Sequence, residues 1–99
     1  MPVTQAHVKT ENASRYLQQL CKHWSHKFTV SFDEHQGKVP FRADTEADFS
    51  ADATALTITL RTEDPERVER MQEVIADHLK RFAFREELEF SWAPADNAL

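Results

Sequence analysis

A single glycine, Gly37, and a single cysteine, Cys21, stand in a chain of 99 residues. One glycine builds neither a phosphate-cradling loop nor a Gly-x-Ser-x-Gly nucleophile elbow, so those two chemistries have no foothold here. One cysteine excludes an intramolecular disulfide and argues against a secreted, disulfide-built scaffold. No apolar run approaches the roughly 20 residues that span a bilayer. Basic blocks are missing too: 12 Lys and Arg face 17 Asp and Glu, for a formal net charge of -5. Nucleic-acid binding draws on clustered Lys and Arg, and no such cluster occurs. The start, Met1 to Gln5, lacks the charged and then apolar regions of a signal peptide. These absences lead us to expect a cytoplasmic protein with neither a nucleic-acid nor a membrane partner.

What is present fits one globular domain: 40% hydrophobic and 29% charged residues. We assign the domain to residues 1–93 and a frayed tail to 94–99. Pro2 to Thr10 alternates weakly and reads as an edge strand. Asn12 is a suitable N-cap, and Ala13, Tyr16, Leu17, Leu20, Cys21 and Trp24 follow at helical spacing. Phe28, Val30 and Phe32 alternate with polar residues as a half-buried strand, and Asp33 to Gly37 reads as a turn in which Gly37 takes a positive φ. Val39 and Phe41 form a short strand that Pro40 marks as an edge or a bulge. Ala47, Phe49 and Ala51 make another, and Leu56, Ile58 and Leu60 the clearest one. Asp64-Pro65-Glu66 opens a second helix with the stripe Val68, Met71, Ile75, Leu79 and Phe82. Leu88, Phe90 and Trp92 alternate as a last strand. The order β-α-β-β-β-β-α-β, with one apolar face per strand, predicts an α+β fold: a mainly antiparallel sheet with both helices on one face.

Three segments are distinctive: Asn12-Ala13-Ser14-Arg15-Tyr16-Leu17, Leu20 to Phe28, and His78 to Leu88 with Phe90 and Trp92 beyond. Together they resemble the uncharacterised bacterial family designated domain of unknown function 2218, over nearly the whole chain. The resemblance implies a small bacterial α+β domain and no established activity. It also implies an association with flavin-dependent siderophore-interacting reductases, and so a helper role in iron-siderophore handling with a siderophore-related molecule or a flavin reductase as partner.

Chemistry-bearing residues concentrate after the first helical stripe. Cys21, His23 and His26 form a Cys-x-His-x-x-His cluster of soft and borderline metal ligands. At about 100° per residue, Cys21 and His23 point roughly 160° apart on a helix, and Cys21 falls on the buried stripe as a small hydrophobe. That leaves His23 and His26 as metal candidates, with Asp33, Glu34 and His35 available if their turn folds back towards His26. Trp24 and Trp92 sit on apolar stripes and read chiefly as core. Arg81 and Arg85 offer an anion clamp at the end of the second helix. The expected contact site is therefore His23, Trp24, His26, Arg81 and Arg85, which come together if the two helices run parallel. Ser25 between two histidines is not triad geometry. No catalytic residue and no cofactor is predicted, and the metal stays unspecified. The reading is a non-enzymatic accessory or ligand-binding domain. The alternative is a protein-interaction module that docks through an edge strand or the wet sheet face, as in a homodimer. A small metal-dependent enzyme comes third.

Overall fold

The computed structural model describes residues 3–94. Its elements are β1 (Val3–Lys9), α1 (Ala13–Trp24), β2 (Ser31–Phe32), β3 (Gln36–Arg42), β4 (Thr45–Ala51), β5 (Ala55–Thr62), α2 (Val68–Phe82) and β6 (Ala93–Pro94), with a single 3-10 turn at Pro65–Arg67 leading into α2. The strands form one antiparallel sheet in the order β2-β3-β4-β5-β1-β6. The expected α+β class, element order and helix placement are all present.

Periodicity explains most of this. All six apolar stripe residues of α1 are buried. On β5, Leu56, Ile58 and Leu60 turn inward, opposite Ala51, Phe49 and Ala47 of β4 and Val8, Ala6 and Thr4 of β1. Ile75 and Leu79 of α2 join the same core. The opposite face of the sheet is polar. There Gln5 Nε2 donates to Thr59 Oγ1 at 2.9 Å, Arg61 pairs with Asp48, and Lys38 Nζ lies 3.4 Å from Glu46.

Carboxylates build the turns. Asp33 Oδ1 accepts from the His35 and Gln36 amides, and Asp52 Oδ1 from those of Thr54 and Ala55, which holds both carboxyls below the usual range. Asp64 accepts from the Glu66 amide at 3.0 Å as a cap, but of the 3-10 turn that leads into α2 and not of α2 itself, which begins at Val68. Pro40 lies at a register shift in β3, and only Gly37 and Lys38 of β3 pair outward with β2, so the missing amide of Pro40 breaks no ladder there.

Five expectations are corrected. Gly37 has no positive φ; it is a buried strand residue of β3. Its hydrogen side chain is set by close approach, because a Cβ there would stand 2.6 Å from Cys21 Sγ. Asn12 makes no side-chain cap; its Nδ2 donates instead to Glu86 at 2.9 Å. Only Ser31–Phe32 of the Phe28–Phe32 stretch pairs as strand, and Phe32 is 41% exposed rather than core. Phe28 and Val30 still pack against the core. β1 is no edge: β6 pairs with it at Thr4 and Gln5. Lastly, Leu88, Phe90 and Trp92 pack on the core, but their segment stands off from β1 across a cleft lined by His7, Lys9, Glu87, Glu89 and Ser91. Among the described residues the ladder is closed only at Ala93 and Pro94, because alternation reports burial and not pairing. Pro94 is thus a paired strand residue, and the remainder of the expected tail, 95–99, lies outside the described residues.

Candidate functional site

The two helices pack antiparallel. His23 and Trp24, at the end of α1, meet His78 of α2, while Asn12 and Tyr16, towards the start of α1, meet Glu86 just beyond α2. The parallel arrangement that would have joined His23 and His26 to Arg81 and Arg85 is therefore absent. Of the expected set, His23 and Trp24 line a common cavity; His26, Arg81 and Arg85 do not. The guanidinium of Arg85 lies 5.4 Å from the centre of the Phe84 ring. Nor does the Asp33–His35 turn fold towards His26: Ser14 Oγ, at the opposite end of α1, donates to the Glu34 carbonyl at 2.7 Å. Among the described residues no group of three or more His, Cys, Asp or Glu is placed to hold a metal.

The cavity measures about 330 Å³ and is lined by His23, Trp24, Lys27, Phe28, Phe41, Arg42, Met71, Val74 and His78. Its floor is aromatic. Trp24 packs edge-on against Phe41 with ring centres 5.0 Å apart, and Phe28 packs on Phe41 at 5.3 Å. The chain turns here because the amides of Lys27 and Phe28 both donate to the Trp24 carbonyl at 2.9 Å, closing α1 and sending Phe28 back over β3. Lys27 and Arg42 are exposed and form no ion pair among the described residues. Among the described residues no Asp or Glu lines this cavity, which makes it a local positive site with an apolar floor.

His78 was not among the expected site residues, although its spacing was informative. It lies three residues after Ile75 and four before Phe82, at the edge of the buried stripe. His78 Nδ1 is 2.7 Å from the Val74 carbonyl; since a carbonyl only accepts, Nδ1 donates and Nε2 is the ring nitrogen left for another partner. Phe41, Arg42 and Met71 come from segments too distant in sequence to be linked to His23 by spacing.

A larger groove, about 650 Å³, runs along β2, β3 and β4 past Phe32, Lys38 and Asp48. Its charges are already engaged: Lys38 with Glu46, Asp48 with Arg61, and Asp33 with its own turn amides. Asp48 Oδ1 is buried there without a hydrogen-bond partner, but one oxygen of a carboxylate already paired with Arg61 makes no convergent site among the described residues.

Glu86 ties the segment after α2 to the start of α1. Its carboxylate accepts from Tyr16 Oη, from Thr10 Oγ1 at 3.0 Å and from Asn12 Nδ2 at 2.9 Å. These hydrogen bonds, that from Tyr16 foremost, hold the Glu86 carboxyl below its usual range, while burial and the adjacent carboxylate push the Tyr16 phenol up. Because the folded pKa of Glu86 is depressed, its stabilisation is present above the ordinary value of 4.5 and is lost as pH falls through the lower folded value. Glu86→Gln should therefore be less stable than the parent at neutral pH, with the gap closing on acidification. Urea unfolding of both proteins from about pH 6 to about pH 3 reads this directly, and a gap that stays constant across the range would refute the network's role.

No helix among the described residues is long and apolar enough to cross a membrane. A comparison with curated proteins finds no match. Among solved structures, the chain is similar to the NMR structure of PA4090 from Pseudomonas aeruginosa, with 39% identity and a TM-score of 0.81 across 98% of this chain and 100% of that one. Residues 5–93 match the family model described as an uncharacterised protein conserved in bacteria, DUF2218, and the chain belongs to that family.

Proposed function

We propose that this domain is a non-enzymatic binding module for small aryl anions, held in the cavity between the end of α1 and α2. One observation carries the reading: an aromatic floor of Trp24, Phe28 and Phe41 under a rim whose formal charges, Lys27 and Arg42, are both positive. An aryl ring stacks on such a floor while its carboxylate or phenolate meets the cations. The volume of about 330 Å³ is at the small end for ligand pockets, and suits one aryl group better than a whole chelate. In an iron-siderophore role the cavity would hold one aryl arm of the chelate. Docking through a sheet edge has less support, because the edge strand β2 is two residues long and Pro40 interrupts β3.

The test is a fluorescence titration in a Trp92→Phe background, where Trp24 is the remaining indole. 2-Hydroxybenzoate should quench Trp24 saturably, its neutral amide should bind more weakly, and benzylamine should not bind. Reversing both rim charges, Lys27→Glu with Arg42→Glu, should weaken 2-hydroxybenzoate about tenfold, the sum of two exposed charge contacts. Absence of saturable quenching, or equal binding of anion and cation, would end the proposal.

A further inference from the structure

His23 and His78 are 55 residues apart in sequence, and the fold brings their ring centres within 5.3 Å at the wall of the cavity, with their planes inclined by 50°. His23 is exposed and His78 half-buried. Two features set this pair apart from a chance contact of rings. First, the Val74 carbonyl engages Nδ1 of His78, so Nε2 is the nitrogen available to a metal, which is how a metal-ligating imidazole is commonly oriented by its other nitrogen. Second, the spacing permits shared coordination once a nitrogen of each ring turns to the ion. With metal–nitrogen bonds of about 2.0–2.1 Å, an ion lies about 3.2 Å from each ring centre, so centres 5.3 Å apart subtend about 110° at it, close to tetrahedral.

We propose that His23 and His78 bind one divalent d-block ion of the zinc, nickel or cobalt type, leaving its remaining positions open to water and to the anion in the cavity. Neutral imidazole suits such ions, and two protein ligands leave room for a bidentate oxygen donor such as 2-hydroxybenzoate. Since no third protein ligand converges there among the described residues, the site is an open, exchangeable one and not a structural metal centre. His26, outside the cavity lining, takes no part. The inference rests on the binding reading only for what fills the open positions; the ion itself is tested alone.

The experiment is calorimetric titration of the chelator-treated chain with Zn(II), without any aryl anion, backed by the visible spectrum of the Co(II) form. One ion per chain should bind, with a tetrahedral Co(II) band. His23→Ala and His78→Ala should each weaken binding at least tenfold, and His26→Ala should match the parent. Should His78→Ala fail to fold, the exposed His23→Ala decides the matter, together with Ni(II) broadening of the His23 and His78 ring protons by NMR. No saturable binding by the parent, or a His26→Ala loss equal to that of His23→Ala, would overturn the site. If Zn(II) fails to bind while the metal-free protein still takes up 2-hydroxybenzoate, this site falls and the binding reading stands.

Discussion

Gly37→Ala should destabilise the domain by about 1–3 kcal/mol, the usual cost of overpacking a filled core, although alanine suits a strand better than glycine does. The added Cβ would stand 2.6 Å from Cys21 Sγ, 3.2 Å from Phe32 Cβ and 3.4 Å from Leu17 Cδ2. Cys21 is fully enclosed on α1, and its one side-chain torsion gives the sulfur little room to retreat. α1 must then lift from β3 or the strand must shift, and either move opens contacts across the cluster. Removing the sulfur should relieve the conflict. Cys21→Ala alone should cost about 1 kcal/mol for the small cavity it leaves, yet Cys21→Ala with Gly37→Ala should be more stable than Gly37→Ala alone. Urea unfolding of the four proteins closes this cycle. Strictly additive losses would show that sulfur and strand do not meet. The same enclosure pushes the Cys21 thiol up to about 12, so native protein should react slowly with thiol reagents. Gly37→Ala, by loosening α1, should speed that reaction.

Leu20→Ala and Ile58→Ala should each lower stability by about 2–5 kcal/mol, a large part of what a domain of this size possesses. Leu20 is fully buried in the stripe of α1. Ile58 occupies the middle of β5 and is flanked in register by Phe49 of β4 and Ala6 of β1. Neither neighbour can collapse into the space left by Ile58, since both are held by ladders on the central strand, so its cost should be at the upper end. Denaturant unfolding gives the magnitudes. A loss below about 1 kcal/mol at both positions would mean that the buried stripes do not carry the fold.

How legible the molecule was depends on the range of the interaction. The helical stripe from Ala13 to Trp24, the alternation of Leu56, Ile58 and Leu60 and the Asp64-Pro65 start are local patterns, and each appears in the structure where its spacing places it. The element order then confines the sheet to an antiparallel one covered on one face, because amphipathic strands and two singly striped helices have few other ways to bury their apolar sides. The departures all involve partners distant in the chain. Asn12 has the chemistry of a cap, but Glu86, 74 residues away, offers its amide a charged acceptor. Gly37 suits a turn, but Cys21 lies where its Cβ would be. Leu88, Phe90 and Trp92 alternate as a strand does, yet burial alone produces that pattern.

The candidate site divides in the same way. His23 and Trp24 were legible as an aromatic and imidazole group at a helix end. His26, Arg81 and Arg85 were grouped with them only on the condition of parallel helices, a relation that no local pattern encodes. The sequence by itself determined the elements, the faces they bury and the class of the fold, because these follow from side-chain periodicity within each segment. Tertiary structure alone decided that α1 and α2 run antiparallel, which carries the segment after α2 away to Tyr16 and brings His78 to His23 over Trp24. That choice depends on how two stripes and a sheet surface interdigitate, a property of packed side chains in three dimensions and not of any run of residues.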